Sequence, residues 1–113
     1  MVPAYNEISR VVTMPRGVSW RGKSGRVYRL EVERLDDFAL VPGQLYVIAD
    51  AGRALWIGTI EDVVGDQRAR ANFRLALQRA DEVFRLDAPE DEVARMTMIW
   101  DLEGTGPATP SAA

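Results

Sequence analysis

Alternating apolar and polar positions in the first third of the chain predict a β-hairpin. Over residues 26–32, Tyr, Leu and Val positions alternate with Arg and Glu, which is the period-two pattern of a strand with one exposed face. Val18–Trp20 is a shorter stretch with β-forming Val and Trp that we also assign to a strand. Gly22–Gly25 lies between the two and has the composition of a tight turn.

The most apolar stretch of the chain, Leu45–Gly58, predicts a second hairpin. Two runs rich in β-branched and aromatic residues flank Asp50–Arg53, where Asp favours a turn and Gly tolerates a positive φ angle. Pro42 and Gly43 form a strong turn signal just before the first run. We therefore expect this hairpin to form the centre of the sheet.

Past the second hairpin, the spacing of apolar residues changes to that of an α-helix. Thr59 and Asp62 have the spacing of a capping pair, which predicts a single helical turn that ends at Gly65. Asp66 then caps a predicted helix over Gln67–Arg79. The apolar stripe of this helix consists of Ala69, Phe73, Ala76, Leu77 and Ala80.

The last part of the chain predicts a short strand, Val83–Leu86, and a second helix. Pro89 and the acids at 90–92 are typical of a helix N-terminus, because Pro suits the first helical position and acids suit the positive end of the helix dipole. One side of such a helix carries Val93, Met96, Thr97 and Trp100. The competing interpretation is a strand, with Met96, Met98, Trp100 and Leu102 on one face.

Together these elements predict an α+β fold, with an antiparallel β-sheet of four to five strands and two helices packed on one face. The chain has 113 residues, of which 47% are apolar and 27% charged. That length and composition are ordinary for one globular domain with its own core. We expect residues 17–104 to form this domain.

Both ends of the chain are predicted to lie outside the domain. Residues 1–16 read as an N-terminal arm or a short edge strand that Pro15 terminates. The apolar positions of this segment are Ile8, Val11, Val12 and Met14. Residues 105–113 contain Pro, Thr, Ser and Ala without an apolar pattern, which predicts a flexible tail.

Cysteine and histidine are both absent from the sequence, and this excludes several kinds of site. Without Cys there is no disulfide, no thiolate nucleophile and no Cys-ligated zinc or iron–sulfur cluster. Without His there is no imidazole metal ligand and no Ser-His-Asp triad. Any chemistry must come from carboxylates, Tyr, Arg or Lys23, and we expect no metal and no cofactor.

The sequence carries no signal for a membrane or for export. No apolar run approaches the roughly 18 residues that a membrane span requires. Residues 1–7 also lack the basic and apolar regions of a secretory signal. We therefore expect a cytoplasmic protein that has no membrane partner.

The net charge of −3 is unevenly distributed along the chain. Residues 1–30 carry six basic residues against one acid, whereas residues 81–103 carry eight acids against two arginines. We expect the two regions mainly to pair with each other, although a basic end would also attract a nucleic acid. The candidate binding residues there are Trp20, Arg21, Lys23 and Arg26, of which Trp20 is expected to be an exposed contact.

The stretch Gly17–Ser24 matches the phosphate-binding pattern G-x-x-x-x-G-K-S. In a P-loop the motif follows a buried strand and opens a helix whose N-terminus binds the anion. Here Pro15 and Arg16 precede the motif and an alternating strand follows it. We therefore interpret Gly22–Gly25 as a hairpin turn and not as a nucleotide site.

The second hairpin resembles the two-strand signature of the GIY-YIG nuclease family. The matching residues are Leu45-Tyr46-Val47-Ile48 in the first strand and Leu55-Trp56-Ile57-Gly58 in the second. The resemblance covers about residues 44–75.

This resemblance implies a phosphodiesterase activity. In the family, tyrosines and an arginine on the following helix assist a metal-activated attack on a phosphodiester. These roles fall here to Tyr46 and to Arg68 or Arg70. The metal-binding glutamate of the family would be Glu92 or Glu103.

Three positions depart from the pattern of the family. Gln44 replaces the first glycine, Trp56 replaces the second tyrosine, and Asp66 stands where the arginine usually falls. Phosphodiester cleavage needs a nucleophile activator and charge stabilisation held together. We therefore expect a related domain in this chain to be inactive.

The sequence supports two hypotheses about function. The first is a small, non-enzymatic cytoplasmic binding, adaptor or assembly protein, which associates with a protein partner or with itself through an uncovered sheet edge. The second is a nucleic-acid-binding domain or a degenerate phosphodiesterase of the GIY-YIG type.

Overall fold

The structure, a computed structural model that describes residues 17–106, contains a five-stranded antiparallel sheet and three helices. The strands are β1 (Gly17–Arg21), β2 (Val27–Glu33), β3 (Gln44–Asp50), β4 (Arg53–Gly58) and β5 (Glu82–Asp87). The helices are α1 (Ile60–Gly65), α2 (Gln67–Arg79) and α3 (Glu92–Leu102). The order across the sheet is β1-β2-β5-β3-β4, and the predicted α+β class is confirmed.

Both predicted hairpins are present. In the first, Trp20 pairs with Tyr28, and the Gly22–Gly25 turn joins β1 to β2 where the P-loop pattern ends. In the second, Ala51 and Gly52 have φ angles of 52° and 75°. Positive φ at both central residues fits the two-residue turn whose twist matches that of the flanking strands.

The prediction that the second hairpin forms the centre of the sheet is wrong for β4. Strand β5 occupies the middle position, and β4 lies at one edge, paired with β3 alone among the described strands. Val83 and Phe84 explain the position of β5. These neighbours face opposite sides of the sheet and both are buried, which requires cover on both faces.

The helix caps follow the predicted residues. Thr59 and Asp62 form a reciprocal capping box at the start of α1, with Thr59 N–H donating to Asp62 Oδ2 at 2.9 Å. Asp66 caps α2 by accepting hydrogen bonds from the backbone N–H groups of Arg68 and Ala69. These bonds satisfy donors that the first turn of a helix leaves free. The predicted bounds of α2 are confirmed.

The predicted placement of both long helices on one face is wrong, because α2 and α3 cover opposite faces of the sheet. Alternating residues of β3 divide between two clusters, since Val47 packs towards α3 and Ile48 packs towards α2. The run Leu45–Ala49 is buried without interruption. A strand that is apolar on both faces has to be covered on both.

The last element is a helix and not a strand, but it begins later than predicted and turns a different side to the core. Asp91 is its N-cap and accepts a hydrogen bond from Ala94 N–H at 2.8 Å. The inward residues are Met98, Ile99 and Leu102. The predicted apolar side faces solvent, and Trp100 is 64% exposed. Local periodicity identified the helix correctly, but packing against the sheet selected its other side.

Most residues of the predicted arm and tail lie outside the described part of the chain. Of the predicted tail, only Thr105 and Gly106 are described. Thr105 O accepts a hydrogen bond from Ala54 N–H at 2.9 Å. The described chain therefore continues past α3 and packs against the first residues of β4. No helix in the described range is long and apolar enough to cross a membrane.

Candidate binding groove

A groove of about 620 Å³ runs along β4, and we call it the β4–α2 groove. Its floor is formed by Ala54, Leu55, Trp56 and Ile57 of the edge strand. One wall is formed by residues of α2 and its N-cap, from Asp66 to Arg79, and Glu103 and Gly104 also line the groove. The groove therefore lies beside a strand whose second edge has no strand partner in the described range.

Trp56 and Phe73 hold α2 against β4. Their rings meet edge to face with centroids 4.8 Å apart, which is a favourable arrangement for aromatic pairs. Gly58 lies beneath this contact, since a Cβ at that position would lie 2.7 Å from the Trp56 ring and 3.0 Å from Asp62. The aromatic pair and Gly58 therefore allow α2 to pack closely against β4 at this side of the groove.

The apolar part of the groove wall contains Leu75, which is 59% exposed although it is a large hydrophobic residue. Asn72 and Ala76 lie next to it on α2 and also line the groove. Phe73 and Ala76 pack against the sheet. Leu75 therefore belongs to the outer side of the helix and offers apolar surface to a molecule in the groove.

Charged residues mark the two ends of the groove. Near the β3–β4 turn, Arg79 lies 3.8 Å from Asp50, and Glu103 borders the same end. At the other end, Asp66 caps α2 and Arg68 lines the wall. The end near the turn therefore has two acids and one arginine, the other end has one acid and one arginine, and the floor between them is apolar.

The structure separates the three side chains that the GIY-YIG resemblance singles out. Tyr46 is buried, and its hydroxyl accepts a hydrogen bond from Val41 N–H at 2.9 Å and donates one to Ala39 O at 3.0 Å. Arg68 lines the groove, whereas Arg70 does not. In the described part of the chain, the Tyr46 hydroxyl binds the backbone of residues 39 and 41, and Tyr46 does not share an open surface with either arginine.

The turn that matches the P-loop pattern holds a carboxylate of the protein itself. Asp101, near the end of α3, accepts hydrogen bonds from Ser24 N–H at 2.7 Å, Ser24 Oγ at 2.8 Å and Tyr28 Oη at 2.7 Å. Its backbone oxygen also accepts a bond from Lys23 N–H at 2.9 Å. Gly22 is required here because the carboxylate occupies the space of a Cβ.

The pKa values of Asp101 and Tyr28 are shifted in opposite directions. The hydrogen bond from Tyr28, followed by those from Ser24, lowers the pKa of Asp101. Burial raises the pKa of Tyr28, and its bond to Asp101 adds to the effect. The ionised carboxylate and the protonated phenol are therefore the forms that the fold favours.

The predicted exposure of Trp20 is wrong. The side chain is fully buried and meets Phe84 edge to face at 5.3 Å between ring centroids. Its Nε1 has no hydrogen-bond partner in the described part of the chain. Alternation decides this orientation, since Trp20 pairs with Tyr28 on the face that α3 covers. Trp20 thus contributes to the core and offers no surface for stacking.

The three basic residues predicted to bind with Trp20 remain at the surface. Arg21 Nη1 donates to Gly25 O at 3.2 Å, and the guanidinium of Arg26 lies 4.9 Å from the centre of the Tyr28 ring. Lys23 is exposed. Arg21 and Arg26 thus have intramolecular roles around the turn, and a binding role for the three stays a prediction.

A polar network covers the part of the sheet that α2 leaves open. Arg85 contacts Glu33 and Glu31, the second at 2.8 Å, and donates to Gln44 Oε1 at 3.1 Å. The hydrogen bond to Glu33 raises the pKa of Arg85. Gln44, which replaces a glycine of the GIY-YIG pattern, also donates to Asp87 at 2.8 Å. This network is internally satisfied.

Comparison with protein families, curated proteins and solved structures gives no match for the chain. In residues 17–106 no group of three Asp or Glu side chains has the geometry to hold a metal ion. The relation to GIY-YIG nucleases therefore stays a prediction. The sequence does not predict the β4–α2 groove; the signal that points to it is Leu75, a large apolar residue outside the predicted stripe of α2.

Proposed function

We propose that the protein is a cytoplasmic binding module whose β4–α2 groove takes an extended segment of a protein. The supporting observation is the combination of an edge strand with exposed Leu75 on the adjacent helix. A peptide that adds to a sheet edge gains main-chain hydrogen bonds, and its side chains reach the pockets beside the strand. This is the binding or adaptor role expected from the sequence, assigned to one surface.

The groove favours a β-prone segment with apolar side chains. Trp56 and Ile57 on the floor and Leu75 on the wall offer apolar contacts. Side chains of an added strand point alternately to the two faces of the sheet. One set would therefore contact α2, and the other would approach Glu103 and Gly104.

Binding can be tested with a displayed library of random peptides. We expect the protein to select segments rich in β-branched residues, and Leu75→Glu to weaken their binding at least about tenfold, since about 1.4 kcal/mol of lost apolar contact suffices for this. Titration calorimetry with a selected peptide measures the effect. Backbone amide shifts should map the peptide to β4.

Val64→Glu is the matched control. Val64 is 70% exposed on α1, against 59% for Leu75, and does not line the groove, so the substitution adds the same charge at another exposed apolar position. It should leave the affinity unchanged. Selection of no peptide, or equal affinity of the wild type and Leu75→Glu, would contradict the proposal.

A second candidate function is nucleic-acid binding by α2. The helix carries four arginines and no acid, and Arg68, Arg70 and Arg74 form no ion pair with the described residues. A basic helix attracts phosphates, and this attraction weakens with salt. Fluorescence anisotropy with oligonucleotides at low salt tests it.

Arg70 and Arg74 separate the two candidates because neither lines the groove. Replacing both with Ala should abolish nucleic-acid binding and leave peptide binding intact. If the wild type binds no oligonucleotide at low salt, the second candidate is excluded.

A further inference from the structure

We propose that the segment bound in the β4–α2 groove is residues 8–14 of a second copy of this chain, so that two copies exchange their N-terminal arms. The proposal rests on the proposed function, because it uses the same groove, and adds the identity of the occupant. It also assigns a role to a segment that the sequence marks as an arm or edge strand.

Residues 8–14, Ile-Ser-Arg-Val-Val-Thr-Met, have the chemistry that the groove favours. Four of the seven residues are β-branched, and none is Gly or Pro. Such residues suit a strand that is half buried between a sheet edge and a helix. Pro15 follows directly and ends the pairing segment, because it lacks an N–H for a ladder.

The alternation of this segment matches the two sides of the groove. Ile8, Val12 and Met14 share one side of an extended strand with Arg10. In the proposed exchange this side would face Trp56 and Leu75 of the partner copy. The other side has smaller side chains, Ser9, Val11 and Thr13, and in the proposed exchange it faces Glu103 and Gly104.

The edge of β1 is a less favourable site for the same segment. On the face away from α3, β1 presents Gly17, Ser19 and Arg21, and the guanidinium of Arg29 lies over Gly17. The exposed apolar residue on this face is Val27, which is 50% exposed and pairs with Arg21, but it belongs to β2 and stands one strand in from the β1 edge. Pairing with β1 would give main-chain hydrogen bonds but little burial of Ile8, Val12 or Met14.

The geometry of the sheet favours a partner copy over the same chain. Strands β1 and β4 lie at opposite edges, and four strand spacings of about 4.8 Å separate them by about 19 Å. Only three peptide links connect Met14 to Gly17, and they span at most about 11 Å. The arm of one copy therefore reaches the β4 edge of another copy more directly than its own.

Such an exchange closes on itself. Each copy gives one arm and receives one, which generates a symmetric dimer in which both grooves are filled. The exchange also protects the two β4 edges from open-ended pairing, which is the hazard of an uncovered edge strand. Both chains contribute to each binding site, so the site is incomplete in a single copy.

The test uses the full chain with one variant on each side of the contact. Val12→Pro removes a backbone donor and disrupts the arm as a strand, whereas Leu75→Glu blocks the groove. Val93→Glu, at a residue that is 72% exposed on α3, is the control. Light scattering over a concentration series should give twice the 12.6 kDa chain mass for the wild type and the control. Both test variants should give the monomer mass.

A mixture of the two test variants provides the decisive measurement. The Val12→Pro chain keeps its groove and the Leu75→Glu chain keeps its arm, so a labelled Val12→Pro chain should bind Leu75→Glu although neither self-associates. A wild type that stays monomeric at all concentrations would overturn the exchange, as expected if the arm folds back on β1. Persistent dimers in Leu75→Glu would also overturn it.

A synthetic peptide of residues 6–16 separates this inference from the proposed function. It should bind the Val12→Pro protein, and Val64→Glu should not alter its affinity. If this peptide fails to bind but library peptides bind in the groove, the exchange is wrong and the peptide-binding function stands. If neither binds, both proposals fail.

Discussion

The Gly22–Gly25 turn and the β4–α2 groove both offer hydrogen-bonding backbone at the surface, but only the first is filled by residues of its own domain. At the turn, Asp101 accepts hydrogen bonds from Ser24 and Tyr28. At the groove, β4 has a partner on one side, and Thr105 covers only its first residues. The turn carries a well-known sequence pattern, whereas the groove carries none.

The comparison shows that a sequence pattern identifies hydrogen-bond donors but not the group that those donors bind. The turn supplies the backbone amides and the serine hydroxyl that a phosphate would use, yet a carboxylate from a distant helix takes them. A groove arises from two elements that are apart in sequence and leave space between them. Its occupant is then decided by shape and apolar surface.

The largest expected effect separates Trp20, which lies beside the turn, from Trp100, which lies on α3 outside the groove. Trp20 lies in the core below the turn, and Trp20→Ala should cost about 3–5 kcal/mol of unfolding free energy because a large buried side chain is lost. Trp100 is mostly exposed on α3, and Trp100→Ala should change stability by less than about 0.5 kcal/mol. Urea unfolding measures both. Equal losses would contradict the assigned burial.

A smaller effect is expected when the space for Asp101 is filled. Gly22→Ala places a Cβ where the carboxylate lies, and such overpacking costs about 1–3 kcal/mol. The same change at Gly65 is the control, since nothing lies within 4 Å of a Cβ there. Gly65→Ala should be neutral or slightly stabilising. A neutral Gly22→Ala in the same urea titration would show that the turn does not need Asp101.

The smallest effect is a pH dependence that arises from Asp101. Because the pKa of Asp101 is lowered by folding, the ionised carboxylate stabilises the fold at every pH above its unfolded-state pKa of about 3.9. This stabilisation is lost as the pH falls through the lower pKa of the folded state. The stability advantage of the wild type over Asp101→Asn should therefore shrink on acidification below about pH 4. Urea midpoints measured between neutral and acidic pH test this. An advantage that is independent of pH would contradict the assigned contact.

Tyr28→Phe tests the same contact from the other side. It removes one hydrogen bond to the carboxylate and should cost about 1 kcal/mol. Because the pKa of Tyr28 is raised, the contribution of the phenol is present below its ordinary pKa of about 10 and is lost as the pH rises through the folded value. Urea unfolding at neutral pH measures the loss. Tyr28→Phe should cost less unfolding free energy in a chain that already carries Asp101→Asn.

Local signals in the sequence predicted much of the fold correctly. Alternation over β2 and the turn chemistry at Ala51 and Gly52 are short-range properties, and so are the caps at Thr59 and Asp66. Each depends on residues within a few positions of one another. For this reason the helix Gln67–Arg79 was predicted with the bounds that the structure shows.

Residues that depend on long-range neighbours were assigned incorrectly or not at all. Trp20 was predicted to be exposed because Arg21 and Lys23 flank it, but its strand pairing turns it to the α3 face. The apolar side of α3 was assigned to the core, because periodicity alone cannot tell which side of a helix meets a sheet. The β4–α2 groove could not be predicted from a single segment.

The sequence alone determined the α+β class, both hairpins, the capped helix α2 and the lack of Cys and His chemistry, because each follows from local geometry or composition. Only the tertiary structure decided that β5 lies between β2 and β3, which leaves β4 at an edge. Only packing of α2 against that edge formed a groove beside Leu75. Strand order is set by contacts between residues that are far apart in the chain, and a short stretch of sequence does not contain both partners of such a contact.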